Sequence, residues 1–267
     1  MAFFTEAGKA FGNSMTEWLQ DTRLLSEAVH RLYSHHRETG DVDFSDASWP
    51  KPKKTDRPLN KFKINPGPLA LRMENLLKSL WSSQFIFLET LWEEYLQALV
   101  LELRHKDASI FEPFCEQKFM AGIVRDVLSG ELNHIDEIKD EAAARFAAGI
   151  TRQPWKDQWA QLTRLEVGLT KNDERLPWFK DLDEYFEMRN CIIHRNTRVS
   201  QLLKEKSEYF NSKNIEYIMI FPQHLDYHRG KFLECVAHIE TKIEAKHKAT
   251  TTPSVVTVAA AVVIEAS

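Results

Sequence analysis

Glycine is scarce in this chain, nine residues in 267. So few glycines leave little material for the tight turns of a many-stranded fold. With Leu, Glu, Lys and Ala plentiful, the composition points to a mainly helical protein. Cysteine is scarcer still. Cys115, Cys191 and Cys235 are widely separated and odd in number, which argues against a disulfide framework and for reduced thiols in the cytoplasm. A secretory leader is not expected, since Met1-Ala2-Phe3-Phe4 carries neither a basic stretch nor a long apolar run. No run reaches the roughly 18 apolar residues of a membrane helix, Val255–Ile264 being too short. Excess positive charge is missing too: the formal net charge is −4 and the pI about 6.2. That excludes a protein that coats nucleic acid nonspecifically, while leaving room for a local basic cleft.

What is present is apolar and aromatic material, 43% and 11% of the chain, enough for a substantial core in one large or two small domains. Residues 1–40 read as one helix packed on the body, capped at Asn13 or Ser14, with Met15, Trp18, Leu19, Leu25, Val29 and Leu32 at helical spacing. Residues 41–68 read as a linker, interrupted by Pro50, Pro52, Pro58, Pro66 and Pro68. Inside it, Lys51, Lys53, Lys54, Arg57, Lys61 and Lys63 stand against Asp56 alone, the densest basic run in the chain. It is either a solvated loop or an arm that contacts phosphates.

Pro66-Gly67-Pro68 launches the longest helix, about Leu69 to His105, whose apolar face is wide enough for burial on several sides. Glu89, Glu93 and Glu94 interrupt that face. Residues 110–170 hold further helices near Glu116–Leu128, Ile135–Ala148 and Trp155–Leu165, read as a scaffold or insert. A helix over Pro177–His194 follows, then a polar turn at Ser207–Asn214. Ile215, Tyr217, Met219 and Phe221 alternate with Glu216 in one short extended segment ending at Pro222. The last helix, His224–Lys246, buries Phe232, Val236, Ile239 and Ile243. Its His224 and His228 lie one turn apart with Cys235 beyond, yet lack the glutamate of the zinc-protease pattern, so no metal site is expected. Residues 248–267 are a loose Thr/Val/Ala-rich tail and an aggregation liability. The fold class expected is all-α, with at most one short extended segment.

The most unusual stretch is Arg189-Asn190-Cys191-Ile192-Ile193-His194. At about 100° per residue, Asp183, Glu187, Asn190 and His194 fall on one polar line, whereas Arg189 lies in the apolar stripe of Leu182, Phe186 and Ile193. An arginine among core-facing residues requires a partner or a wet cleft. One of Glu89, Glu93 and Glu94 is a candidate partner.

The spacing Arg-polar-x-x-x-His, led by Asp183-Glu184-Tyr185-Phe186-Glu187 and preceded by a long Trp/Tyr/Leu-rich helix, resembles the signature of the HEPN superfamily. Those are helical RNA-cleaving domains of toxin–antitoxin and abortive-infection systems. The resemblance is sharpest over Leu182–Val199 and extends more weakly over 66–247. It implies a HEPN-like bundle over 69–247, with extra helices around 110–170. It also implies a homodimer with paired motifs lining a groove at the two-fold, metal-independent endoribonuclease activity without a cofactor, and a role as toxin or antiphage effector under an antitoxin or other regulatory protein. Arg189, Asn190 and His194 match the catalytic positions. Arg195 and Arg198, together with the Lys51, Lys53, Lys54 and Arg57 run, are the candidates for holding RNA.

The residue types suit that chemistry. RNA carries its own nucleophile, the 2′-hydroxyl. Histidine suits the proton transfers and arginine the charge that builds on phosphorus. One geometric difficulty stands: five residues put Arg189 and His194 about 140° apart on a helix. Either the helix loosens at His194 or a second copy supplies the other half of the site. The alternative is a non-catalytic dimeric module of the same kind, binding RNA or a partner protein.

Overall fold

The computed structural model describes residues 3–39, 66–106, 119–130, 134–165, 167–213 and 215–251. The basic run of Lys51, Lys53, Lys54 and Arg57, Cys115 and most of the C-terminal tail lie outside them. Among the described residues the regular elements are helical, and extended backbone pairs at one antiparallel bridge, Arg198 with Tyr217. The protein is all-α. No helix among the described residues is long and apolar enough to cross a membrane.

The first helix, α1 (Glu6–Thr39), starts well before the expected cap at Asn13 or Ser14. The reason is tertiary. Thr5 is the cap: its hydroxyl accepts from the Gly8 amide at 2.9 Å and itself donates to the Glu240 carboxylate at 2.6 Å. Glu240 also accepts from the amides of Phe4 at 3.0 Å and Thr5 at 2.6 Å. Anchored there, α1 buries Ala7, Phe11, Met15 and Trp18, while Leu25 stays exposed. A Cβ on Gly8 would sit 2.6 Å from the Glu240 carboxyl carbon, so a side chain there would push the carboxylate off its donors.

Helix α2 (Pro66–Lys106) takes in Pro66-Gly67-Pro68 rather than following them. Proline is tolerated in a first turn, where its missing N–H has no intrahelical partner anyway. From Phe85 onward α2 is the axis of the molecule: Phe85, Leu88, Trp92, Tyr95, Leu96 and Leu99 are fully enclosed. Around it pack α1, α4 (Ile135–Thr151), α6 (Pro177–His194) and α9 (Pro222–Thr251). The smaller α3 (Phe119–Leu128) leans on α4, and α5 (Trp155–Arg164) sits between α4 and α6.

Large rings fill the centre. Trp155 stacks on Phe186 at 5.3 Å, and Trp92 meets Trp155 edge-on at 5.6 Å. The polar handles of three of these rings are hydrogen-bonded, as burial favours. Trp92 donates to the Gln158 side-chain oxygen at 2.9 Å, Trp155 to the Phe179 carbonyl at 3.1 Å, and the Tyr185 hydroxyl to the Phe85 carbonyl at 2.6 Å.

Candidate functional site

Helix α6 carries the Arg189–His194 stretch, and its limits match the expected Pro177–His194. Pro177 sets the first turn, and Trp178, Phe179, Leu182, Tyr185 and Phe186 bury the face toward α2, α5 and α9. The polar line of α6 divides in two. Its N-terminal half is structural: Asp183 accepts from Lys206 at 2.8 Å, and buried Glu187 accepts from the Ser200 hydroxyl at 2.7 Å. Ser200 in turn caps α7 (Gln201–Lys206) by accepting from the Leu203 amide at 2.9 Å. The C-terminal half, Asn190 and His194, is exposed.

Arg189 is compensated from α2. Its guanidinium forms an ion pair with Glu89, and a second nitrogen donates to the Asn190 side-chain oxygen at 3.1 Å. The Arg189 side chain remains 25% exposed, so it is wedged between core and solvent rather than sealed in. Burial pushes the Glu89 carboxyl from 4.5 up to about 7, against the pull of Arg189 and with a smaller push from Glu93. Glu93, half-buried beside it, is also raised by burial, opposed by Arg189 and Arg152. One guanidinium therefore serves two partly desolvated carboxyls.

His194 is the last residue of α6 and is exposed. Beyond it the chain reverses sharply. The Cys191 carbonyl accepts from the amides of Arg195 at 3.1 Å and Thr197 at 3.0 Å, while Asn196 and Thr197 take φ of 50° and 66°. Asparagine tolerates this left-handed region, but a β-branched threonine there is strained. Arg195 and Arg198 are both exposed, and the Arg198 guanidinium lies 6.0 Å from the centre of the Tyr217 ring. Ile193 is not buried with Leu182 and Phe186 as its place on the apolar stripe implied. It is 40% exposed, because α6 has by then passed the end of the packed body.

The extended segment after residue 214 exists, and it pairs with the residues just beyond α6 at the one bridge. Val199 donates to the Glu216 carbonyl and Ile218 to the Thr197 carbonyl, each at 2.8 Å. Ile218 and Ile220 point into the core, whereas Tyr217 and Met219 are 51% and 53% exposed. A period-two pattern names two faces but not which one is inward. The expected turn at Ser207–Asn214 holds a short helix, α8 (Glu208–Ser212), fastened by buried Phe210.

Two cavities flank this segment. One of about 450 Å³ lies among Glu184, Met188, Tyr209, Tyr217, Phe221 and His224. The other, about 400 Å³, lies among Lys78, Ser82, Thr197, Tyr217 and Met219. Neither is lined by Arg189, Asn190 or His194. Tyr209, Tyr217 and Glu184 were not among the expected functional residues. For Tyr217 the signal was the run of apolar residues at odd positions through Ile215–Phe221, of which only part is used by the core; Tyr209 and Glu184 carried none. His224 and His228 have separate roles: the His224 Nδ1 accepts from the Phe221 amide at 3.1 Å. His228 is enclosed against Phe85 and Tyr185, where burial lowers it to about 3. No family model matches the chain, and neither does any curated protein or solved structure.

Proposed function

We propose that this chain is a metal-independent endoribonuclease of the HEPN kind, acting as a homodimeric toxin or antiphage effector. The observation that carries the reading is Arg189, held by Glu89 and Asn190 at the edge of the core, one and a half turns before an exposed His194. The ion pair removes the guanidinium's freedom without hiding it, which is the preorganisation that charge stabilisation requires. In the proposed reaction, the ribose 2′-oxygen attacks the adjacent phosphorus as its proton passes to a histidine. The bond from phosphorus to the 5′-oxygen breaks, and the leaving oxygen takes up a proton. The products are a 2′,3′-cyclic phosphate and a 5′-hydroxyl. Arg189 holds the charge that accumulates on the phosphoryl oxygens.

Within one protomer Arg189 is drawn toward α2 while His194 faces solvent, so the two do not converge. A second copy across a two-fold axis resolves this, with Arg189 of one protomer serving beside His194 of the other. The exposed Ile193 next to His194 supplies apolar area for such a contact. Mixing Arg189→Ala and His194→Ala protomers tests the arrangement. Each variant alone is inactive. The mixture recovers roughly a quarter of wild-type cleavage, since about half the dimers are mixed and each mixed dimer holds one intact site of two. No recovery in proven mixed dimers rejects the shared site, and an active His194→Ala variant alone rejects the reading altogether.

A second reading has its own support. Two groups already hold the Arg189 guanidinium, and neither cavity meets the motif. This favours a non-catalytic helical module that binds RNA or a partner protein. In that case His194→Ala leaves RNA integrity and toxicity unchanged.

A further inference from the structure

The cavity between Tyr209 and Tyr217 takes no part in the cleavage chemistry above, and its lining differs from a packing defect. Tyr209 and Tyr217 are 58% and 51% exposed at its mouth, and Met188, Phe210 and Phe221 form apolar walls. Two polar groups reach it from different helices. Glu184 of α6 accepts from the Ser207 hydroxyl at 2.9 Å through one oxygen, which leaves the other for an occupant. His224 of α9 has its Nδ1 occupied by the Phe221 amide, so the neutral ring presents Nε2–H as a donor. Burial raises the Glu184 carboxyl and lowers the His224 imidazole, as expected of groups drawn partly out of water. One cation stands by the rim: the Arg198 guanidinium lies 6.0 Å from the centre of the Tyr217 ring.

We propose that this cavity receives one unstacked nucleobase of a single-stranded RNA, with Tyr209 and Tyr217 as stacking faces and Glu184 and His224 reading the base edge. The proposal rests on the ribonuclease reading for the identity of the polymer. Three features select a base over a peptide side chain. Flat rings exposed at the mouth suit stacking. The Arg198 guanidinium beside Tyr217 suits a phosphate next to the inserted base. An acceptor and a donor inside suit an edge that carries both. Guanine fits best, since its adjacent N1–H and N2–H groups match a carboxylate and its exocyclic O6 or ring N7 matches the imidazole N–H.

The test uses the full chain carrying His194→Ala, so that RNA stays intact, and fluorescence anisotropy with labelled uridine oligonucleotides. One probe has a single central guanosine, a second an adenosine, and a third uridine alone. The guanosine probe binds tightest. Added Tyr217→Ala or Tyr209→Ala weakens it about tenfold, and Glu184→Gln removes the preference for guanosine over adenosine. Tyr217→Phe keeps most of the binding. Unchanged melting curves show that the exposed tyrosines were not holding the fold. Equal binding of all three probes, or variants that bind like their parent, overturns the proposal. The two readings fail separately. Guanosine-selective binding through Tyr217 without any cleavage by the wild type sinks the nuclease and keeps the pocket. Cleavage indifferent to Tyr209 and Tyr217 does the reverse.

Discussion

Arg189 and Glu89 form a pair whose strength depends on pH, and the direction follows from which group titrates. The folded Glu89 takes up a proton at about 7, whereas the unfolded carboxyl waits until its ordinary value of 4.5. A raised carboxyl favours the fold below 4.5, and that contribution is lost as pH rises through about 7. Removing the arginine should therefore matter most in alkaline solution, where a buried carboxylate is left without its cation. Arg189→Ala is expected to cost roughly 2–3 kcal/mol at pH 8, less than a fully buried pair would because the guanidinium is partly exposed. Near pH 5 the cost should be much smaller, since a neutral Glu89 needs no partner. Urea unfolding of wild type and variant across this range reads both values. A pH-independent difference would mean that the guanidinium contributes packing alone. His194, exposed and ending its helix, should be replaceable by alanine within about 0.5 kcal/mol.

Among the elements, the C-terminus of α6 is where local preference yields to something else. An ordinary helix ends with glycine in the left-handed position, and here Asn196 and Thr197 hold it instead. Thr197 is kept there by backbone bonds on both sides, from its amide to the Cys191 carbonyl and from Ile218 to its own carbonyl. Thr197→Gly leaves both bonds in place and relieves the clash of the branched side chain. The expected result is a net gain of up to about 1 kcal/mol after the added freedom of glycine in the unfolded chain is subtracted. Urea midpoints test it. A loss instead would show that the threonine side chain makes a contact worth more than its strain. Should the stabilised variant cleave RNA more slowly, the strained turn is part of how Arg195 and Arg198 are presented beside His194.

At the scale of the whole molecule, Glu240 ties the beginning of the described chain to its last helix. Its carboxylate is buried, accepts three bonds from Phe4 and Thr5, and takes a fourth from the Tyr95 hydroxyl at 3.1 Å. Glu240→Ala orphans several buried donors at once and should cost roughly 3 kcal/mol, with protection of the Thr5 amide against hydrogen exchange lost first. Little change would mean that α1 is held by Phe11, Met15 and Trp18 alone. No local pattern announces this clasp, because its two halves are more than two hundred residues apart, and so the true start of α1 was not legible while the span of α6 was. Periodicity and proline placement determined by themselves the all-α class, the two central helices and the Arg189–His194 stretch, since helical hydrogen bonding is local and its apolar repeat is written residue by residue. Only tertiary packing decided which of three glutamates meets Arg189, that Asp183 and Glu187 serve α7 rather than a site, and that Tyr217 and Met219 face outward. Each of those outcomes depends on which distant surface arrives against the residue, and burial is a property of that meeting rather than of the chain.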